Sequence, residues 1–215
     1  MRFRILAGLS LAAALAAPST SSAQLVGTTT TLESFTNFGN PLNVGYLFNV
    51  TNPFQVTHLA FWDQGDNGLL RNHSIGLWSP TGQLLSTAIV LAGTGGQLVD
   101  GHRLVAVTPF ILQPGVGYRV GGTTGEPELW AYDGVLANAP GIQWTAGAWC
   151  DGNALQDVGS ITDPDCGSDP TQTGYFGGNF AGNVVATPEP ASMALVATGL
   201  LGVFGVARRR RNKAA

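Results

Sequence analysis

Glycine, proline, asparagine and aspartate break the middle of this chain at short intervals, and β-branched and aromatic runs fill the gaps between them. That rhythm suits short strands, and it predicts an all-β fold, a jelly-roll-like β-sandwich. Strands are expected over residues 44–50, 55–62, 73–78, 84–90, 103–108 and 118–121, with less regular ones over 129–132 and 175–185. Alternation is clearest where His73, Ile75 and Leu77 oppose Ser74, Gly76 and Trp78, although the pattern leaves open which set faces inward. Ser79, Pro80, Thr81 and Gly82 read as a hairpin turn, since proline presets one dihedral and glycine tolerates the other. Gln113, Pro114 and Gly115 read as a second turn.

From residue 133 to 174 the sequence is rich in Gly, Asp and Ala with little periodicity, which predicts long loops. The two cysteines, Cys150 and Cys166, lie in this stretch. A disulfide between them closes a loop of about 16 residues and contributes about 3 kcal/mol. Zinc ligation is the rival reading, but His58, His73 and His102 are remote in sequence and zinc normally takes four ligands.

Both ends have the composition of targeting segments. Arg2 and Arg4 precede an apolar run over 5–17, and Ser21, Ser22 and Ala23 supply small residues for a peptidase, so 1–23 is expected to be a cleaved signal peptide. At the other end, Pro188, Glu189 and Pro190 lead into an uncharged run over 191–207, closed by Arg208, Arg209, Arg210 and Arg211. As a helix, 191–207 spans about 25 Å, a little short of the roughly 30 Å hydrocarbon core. Four arginines oppose translocation, so the expected arrangement is one transmembrane helix with 212–215 as a cytoplasmic tail and the body outside. This order of Pro-Glu-Pro, apolar helix and arginine cluster resembles the PEP-CTERM sorting signal over 187–211. The resemblance implies that an exosortase, an integral-membrane cysteine transpeptidase of Gram-negative bacteria that make an exopolysaccharide matrix, recognises and processes the chain.

Between these ends, residues 24–186 suit one extracellular domain. Only Arg71, Arg103 and Arg119 are basic there, against twelve acidic residues, so the body carries a net charge of -9 and no lysine. Such a balance argues against nucleic acid, whose affinity rests on Lys and Arg. It is compatible with divalent cations, neutral glycans or simple solubility. Asp66 to Leu69, His73 to Trp78 and Thr81 to Leu85, continued by Arg103 to Val105, Pro109, Gly115, Tyr118 and Val120, are similar to a secreted β-sandwich family of unknown function over about residues 43–122. That resemblance brings no catalytic residues.

Asp63, Asp66 and Asn67, followed by Gly68, form the nearest approach to a calcium loop, because Ca²⁺ gathers closely spaced oxygen ligands. The same residues are what a tight turn selects. Asp151, Asp157, Asp163, Asp165 and Asp169 read as a solvated acidic loop. Trp130, Tyr132, Trp144 and Trp149 fit either a sugar-stacking platform or core packing. No Gly-x-Ser-x-Gly, His-Glu-x-x-His or phosphate-binding loop occurs, and His73 with Asp66 is the one pairing of note. The expected function is therefore non-enzymatic: an exported, transiently membrane-anchored protein with a structural or adhesive role in the extracellular polysaccharide matrix. A carbohydrate- or calcium-binding module is the alternative, and an extracellular hydrolase is the remote one.

Overall fold

Every gap between turns that is rich in β-branched or aromatic residues is extended in the computed structural model, which describes residues 24–36, 42–124, 130–151, 164, 167–171, 175–185 and 198–199. The first seven strands are β1 Gln24–Leu25, β2 Gly27–Thr36, β3 Leu42–Val50, β4 Phe54–Trp62, β5 His73–Trp78, β6 Leu84–Val90 and β7 Gln97–Val99. The second seven are β8 His102–Leu112, β9 Gly115–Thr124, β10 Trp130–Asn138, β11 Ile142–Asp151, β12 Gly167–Asp169, β13 Tyr175–Phe176 and β14 Gly178–Val184. The expected signal peptide (1–23), Pro188, Glu189, Pro190, Arg208 to Arg211, the tail and all but two residues of 191–207 lie outside the described residues. Among the described residues no helix is long and apolar enough to cross a membrane.

All pairings between named strands are antiparallel and build an all-β sandwich. A five-stranded sheet of order β1-β14-β4-β8-β7 faces a six-stranded sheet of order β12-β11-β3-β9-β5-β6, and a three-stranded sheet β13-β10-β2 lies beside them. The winding follows from four nested pairs: β1 with β14, β3 with β9, β4 with β8, and β5 with β6. The chain runs outward through the first members and returns through the second, with successive pairs placed in alternate sheets, which is the winding of a jelly roll.

An aromatic cluster bridges the two sheets inside an otherwise aliphatic core. Phe48 from one sheet sits 4.9 Å, ring centre to ring centre, from Phe180 of the other, and stacks on Tyr118 at 5.6 Å. Phe54 meets Phe180 edge-on at 6.0 Å. All of these rings are buried, together with Leu59, Phe61, Ile75, Leu77 and Val120; each such side chain contributes about 1.5–3 kcal/mol through removal from water. The ambiguity in β5 is resolved by its neighbour: His73 stacks on Phe61 at 3.7 Å, so His73, Ile75 and Leu77 face the opposite sheet. Ser74, Gly76 and Trp78 are nonetheless buried too, with the Trp78 indole folded back against Gly76.

Several strands exceed their expected limits. Strand β8 runs past Pro109 to Leu112 because the β4 pairing slips between Val56 and His58, and the extra residues of this bulge accommodate a proline that donates no ladder bond. Strand β2 was not expected at all, since its run of threonines alternates weakly.

The largest correction concerns residues 133–174, expected as loops. They include the ten-residue strand β11, paired along its length with β3, and the short strand β12. Small side chains explain the missed signal. Ser168, Ala148, Gly45, Gly121 and Gly76 stand opposite one another across five adjacent strands. Pro164 packs on Gly121 in this row, so the row is covered by protein and needs no large residues of its own.

The Ser79 to Gly82 turn forms as expected. Gly82 has φ +80° and its amide donates to the Ser79 carbonyl at 3.0 Å, while Ser79 Oγ accepts from the Gln83 amide at 3.1 Å. No cysteine among the described residues is free; Cys150 is buried on β11, and Cys166 lies outside the described residues.

Candidate functional site

Strand β4 ends at Trp62, and the next residue, Asp63, turns inward rather than out. Its side chain is 1 % exposed, yet it is fully provided for: Arg103 Nε donates to Oδ2 at 2.7 Å, and the Gly68 amide donates to Oδ1 and Oδ2 at 3.1 and 3.0 Å. Gly68 can present its amide in this way because its φ is +102°, a conformation that a side chain would strain. The guanidinium of Arg103 also donates from Nη1 to the Thr94 carbonyl and from Nη2 to the Asp66 carbonyl, each at 3.1 Å. One β8 side chain thereby ties the 63–68 turn to the 91–96 loop. A backbone bridge between Leu69 and Gly93 secures the same two segments.

A second buried polar chain lies beside it. His102, adjacent to Arg103, donates from Nδ1 to the Asp100 carbonyl at 2.9 Å, and its Nε2 accepts from Asn179 Nδ2 at 3.3 Å. Asn179 Oδ1 in turn accepts from Tyr46 Oη at 2.7 Å and from the Phe180 amide at 2.8 Å. Desolvation raises the Tyr46 pKa and lowers that of His102, the latter opposed by the Asp100 carbonyl and by the charges of Asp100 and Asp66. The two aspartates with positive φ, Asp66 (+60°) and Asp100 (+45°), are the two whose carbonyls Arg103 and His102 hold.

This arrangement bears directly on the calcium expectation. Asp63, Asp66 and Asn67 do share one turn, but Asp63 spends its carboxylate on Arg103 and Gly68, and Asp66 and Asn67 are exposed. Among the described residues no group of three or more His, Cys, Asp and Glu is placed to hold a metal ion. His73 gives its Nδ1 to the Thr123 carbonyl at 2.7 Å and stacks on Phe61, inside the core. Of the four aromatics, Trp144 and Trp149 are partly buried on β11, and the side chains of Trp130 and Tyr132 lie outside what is described. The sequence singled out Arg103 only as one of three basic residues and part of the family pattern, and His102 only as a remote histidine; Asn179 and Tyr46 gave no signal, and the scarcity of basic residues in a lysine-free body was the one pointer to Arg103.

Along the open side of the sandwich, between β6 and the outer stretch of β8, runs a groove of about 400 Å³ lined by Leu85, Thr87, Ala88, Val107, Pro109 and Phe110. A smaller apolar hollow of about 150 Å³ is lined by Ile89, Leu91, Leu104 and Val105. No charged side chain lines either.

Fold and site together define a sandwich whose buried polar groups lock loops in place. Its central region, residues 28–152, matches the family described as Domain of unknown function (DUF4082), and the chain belongs to that family. Residues 186–211 match the PEP-CTERM protein-sorting motif, which marks the chain for exosortase-dependent export to the cell envelope of a Gram-negative bacterium. No curated protein and no solved structure matches the chain.

Proposed function

We propose that the mature protein is a non-enzymatic structural or adhesive component displayed at the cell surface or in the extracellular polysaccharide matrix. The observation that carries this reading is where the chain enters and leaves the sandwich. Gln24 pairs with Gly182 on β14, and the Val185 amide donates to the Pro53 carbonyl beside the start of β4. Both ends of the domain therefore leave from one end, and the sorting motif begins at residue 186, immediately beyond. The Asp63 and Arg103 loops crown the opposite end, since Phe61, close to Asp63, lies at the far end of β4 from Phe54.

In this proposal residues 1–23 are removed on export, 191–207 holds the precursor in the membrane, and Arg208 to Arg211 stay cytoplasmic. An exosortase then cuts near Pro188, Glu189 and Pro190. A disulfide between Cys150 and Cys166 belongs to the same reading: β11 and β12 pair Gly147, Ala148 and Trp149 with Asp169, Ser168 and Gly167, and the last of these pairs is next in sequence to both cysteines.

Intact-mass measurement on protein from its native cells tests the processing. Glu189→Ala is expected to leave a full-length, membrane-associated precursor, whereas the unaltered chain loses its C-terminal segment. An identical mature mass for both would overturn the sorting role. A non-reduced mass lighter by two hydrogens than the reduced one is expected from the disulfide.

A further inference from the structure

We propose that β6 is a self-association edge, pairing antiparallel with β6 of a second copy and so joining domains anchored on opposing surfaces. The inference deepens the adhesive reading above and rests on it.

Among the described residues the two stacked sheets end in four edge strands, and three of these are short: β1 has two residues, and β7 and β12 have three each. The fourth, β6, has seven. Exposed edges present unpaired N–H and C=O groups, and proteins that stay apart protect long ones with charge, proline or shortness. Strand β6 reads Leu-Leu-Ser-Thr-Ala-Ile-Val, with no charge and no proline, although the body around it carries a net charge of -9. The neighbouring open stretch of β8, by contrast, is interrupted by Pro109 and its bulge.

A second copy suits this edge for a reason internal to the strand. The ladder with β5 is regular from Ser86 to Val90 and slips only at Leu85. Antiparallel pairing about Ala88 sets Ser86 opposite Val90 and Thr87 opposite Ile89, and one step beyond sets Leu85 opposite Leu91. Those two leucines are 37 % and 62 % exposed in the single chain. No like charges meet anywhere along the pair, so the general repulsion between acidic bodies is absent at the seam itself.

Direction decides what such pairing does. His73, which stacks on Phe61, pairs with Val90, so the Val90 end of β6 lies at the loop-crowned end and Leu84 at the end from which the sorting motif departs. Antiparallel partners therefore send their tethers in opposite directions, which suits two surfaces facing each other and not neighbours on one surface.

Sedimentation of the full chain in detergent tests the pairing. The unaltered chain and Thr87→Val are expected to sediment as dimers and Thr87→Lys as a monomer, the lysine placing a charge in the ladder; Ala88→Cys is expected to form an interchain disulfide on mild oxidation, since directly opposed Cα atoms lie about 4.5–5.5 Å apart. A monomeric unaltered chain, or a Thr87→Lys variant still dimeric, would overturn the proposal. Cells displaying the unaltered chain are expected to clump and those displaying Thr87→Lys to remain dispersed. Equal clumping would refute the bridging role, while the mature mass of each variant separately reports whether export and processing are intact.

Discussion

Tyr46 on β3 donates its hydroxyl to Asn179 Oδ1 on β14 at 2.7 Å, joining the two sheets through an apolar interior. Asn179 passes the connection to His102 and onward to the Asp100 carbonyl, so one asparagine holds a chain of buried polar groups together. Tyr46→Phe leaves Asn179 Oδ1 its bond from the Phe180 amide. It is expected to cost about 1 kcal/mol, and Asn179→Ala about 2–4 kcal/mol because it strands both the tyrosine hydroxyl and the histidine. Urea denaturation of the two variants checks the ranking.

Burial holds the His102 pKa below its ordinary 6.5. In the window below that value the unfolded chain binds the proton that the folded chain refuses, so stability is fully present above about pH 6.5 and declines as pH falls toward the folded pKa, by at most about 1.4 kcal/mol per pH unit. His102→Gln is expected to flatten this part of the curve. Denaturation midpoints at pH 7.5, 6.5 and 5.5, taken as roughly spaced points across the window, reveal the difference.

Removing Arg103 leaves the Asp63 carboxylate buried without its cation. Arg103→Met is expected to cost about 3–5 kcal/mol. Arg103→Lys is expected to recover little, because an ammonium group cannot reach Asp63, Thr94 and Asp66 together as the guanidinium does. Asp63→Asn combined with Arg103→Met is expected to be milder than Arg103→Met alone. Thermal denaturation of the three variants supplies the comparison.

Glycine positions separate two kinds of strain. A methyl group on Gly178 would lie 2.5 Å from the Gly122 amide nitrogen, where β14 and β9 touch backbone to backbone. Gly178→Ala is expected to destabilise by about 3 kcal/mol or more, or to prevent folding. Gly93 has φ +88° but open space where a Cβ would stand, so Gly93→Ala is expected to cost only about 1–2 kcal/mol. Should both variants unfold at the same urea concentration, the close contact of β14 and β9 is not what limits Gly178.

Strands whose burial comes from their own large residues were legible in advance. Strands β5 and β6 fall where alternation and the Ser79 to Gly82 turn place them, because hydrophobic periodicity and turn chemistry are local properties. Strand β11 was not legible, because Ala146, Gly147 and Ala148 show no periodicity of their own and are ordered by pairing with β3 and β12. The Asp63 turn illustrates the same limit at the site. Asp63, Asp66 and Asn67 are close in sequence and share a turn, but the group that claims Asp63 is Arg103, forty residues away.

By itself the sequence determined the all-β class, most strand positions, and the PEP-CTERM motif with the export it directs, since each is written in contiguous residues. Tertiary structure alone decided which strands pair in each sheet, that Arg103 partners Asp63 in this turn, and that β6 is the longest of the outermost strands of the stacked sheets among the described residues. These depend on which distant segments meet, and that is fixed by burying the Phe48, Phe54, Phe61 and Phe180 rings in one interior, a collective requirement that no local stretch of residues expresses.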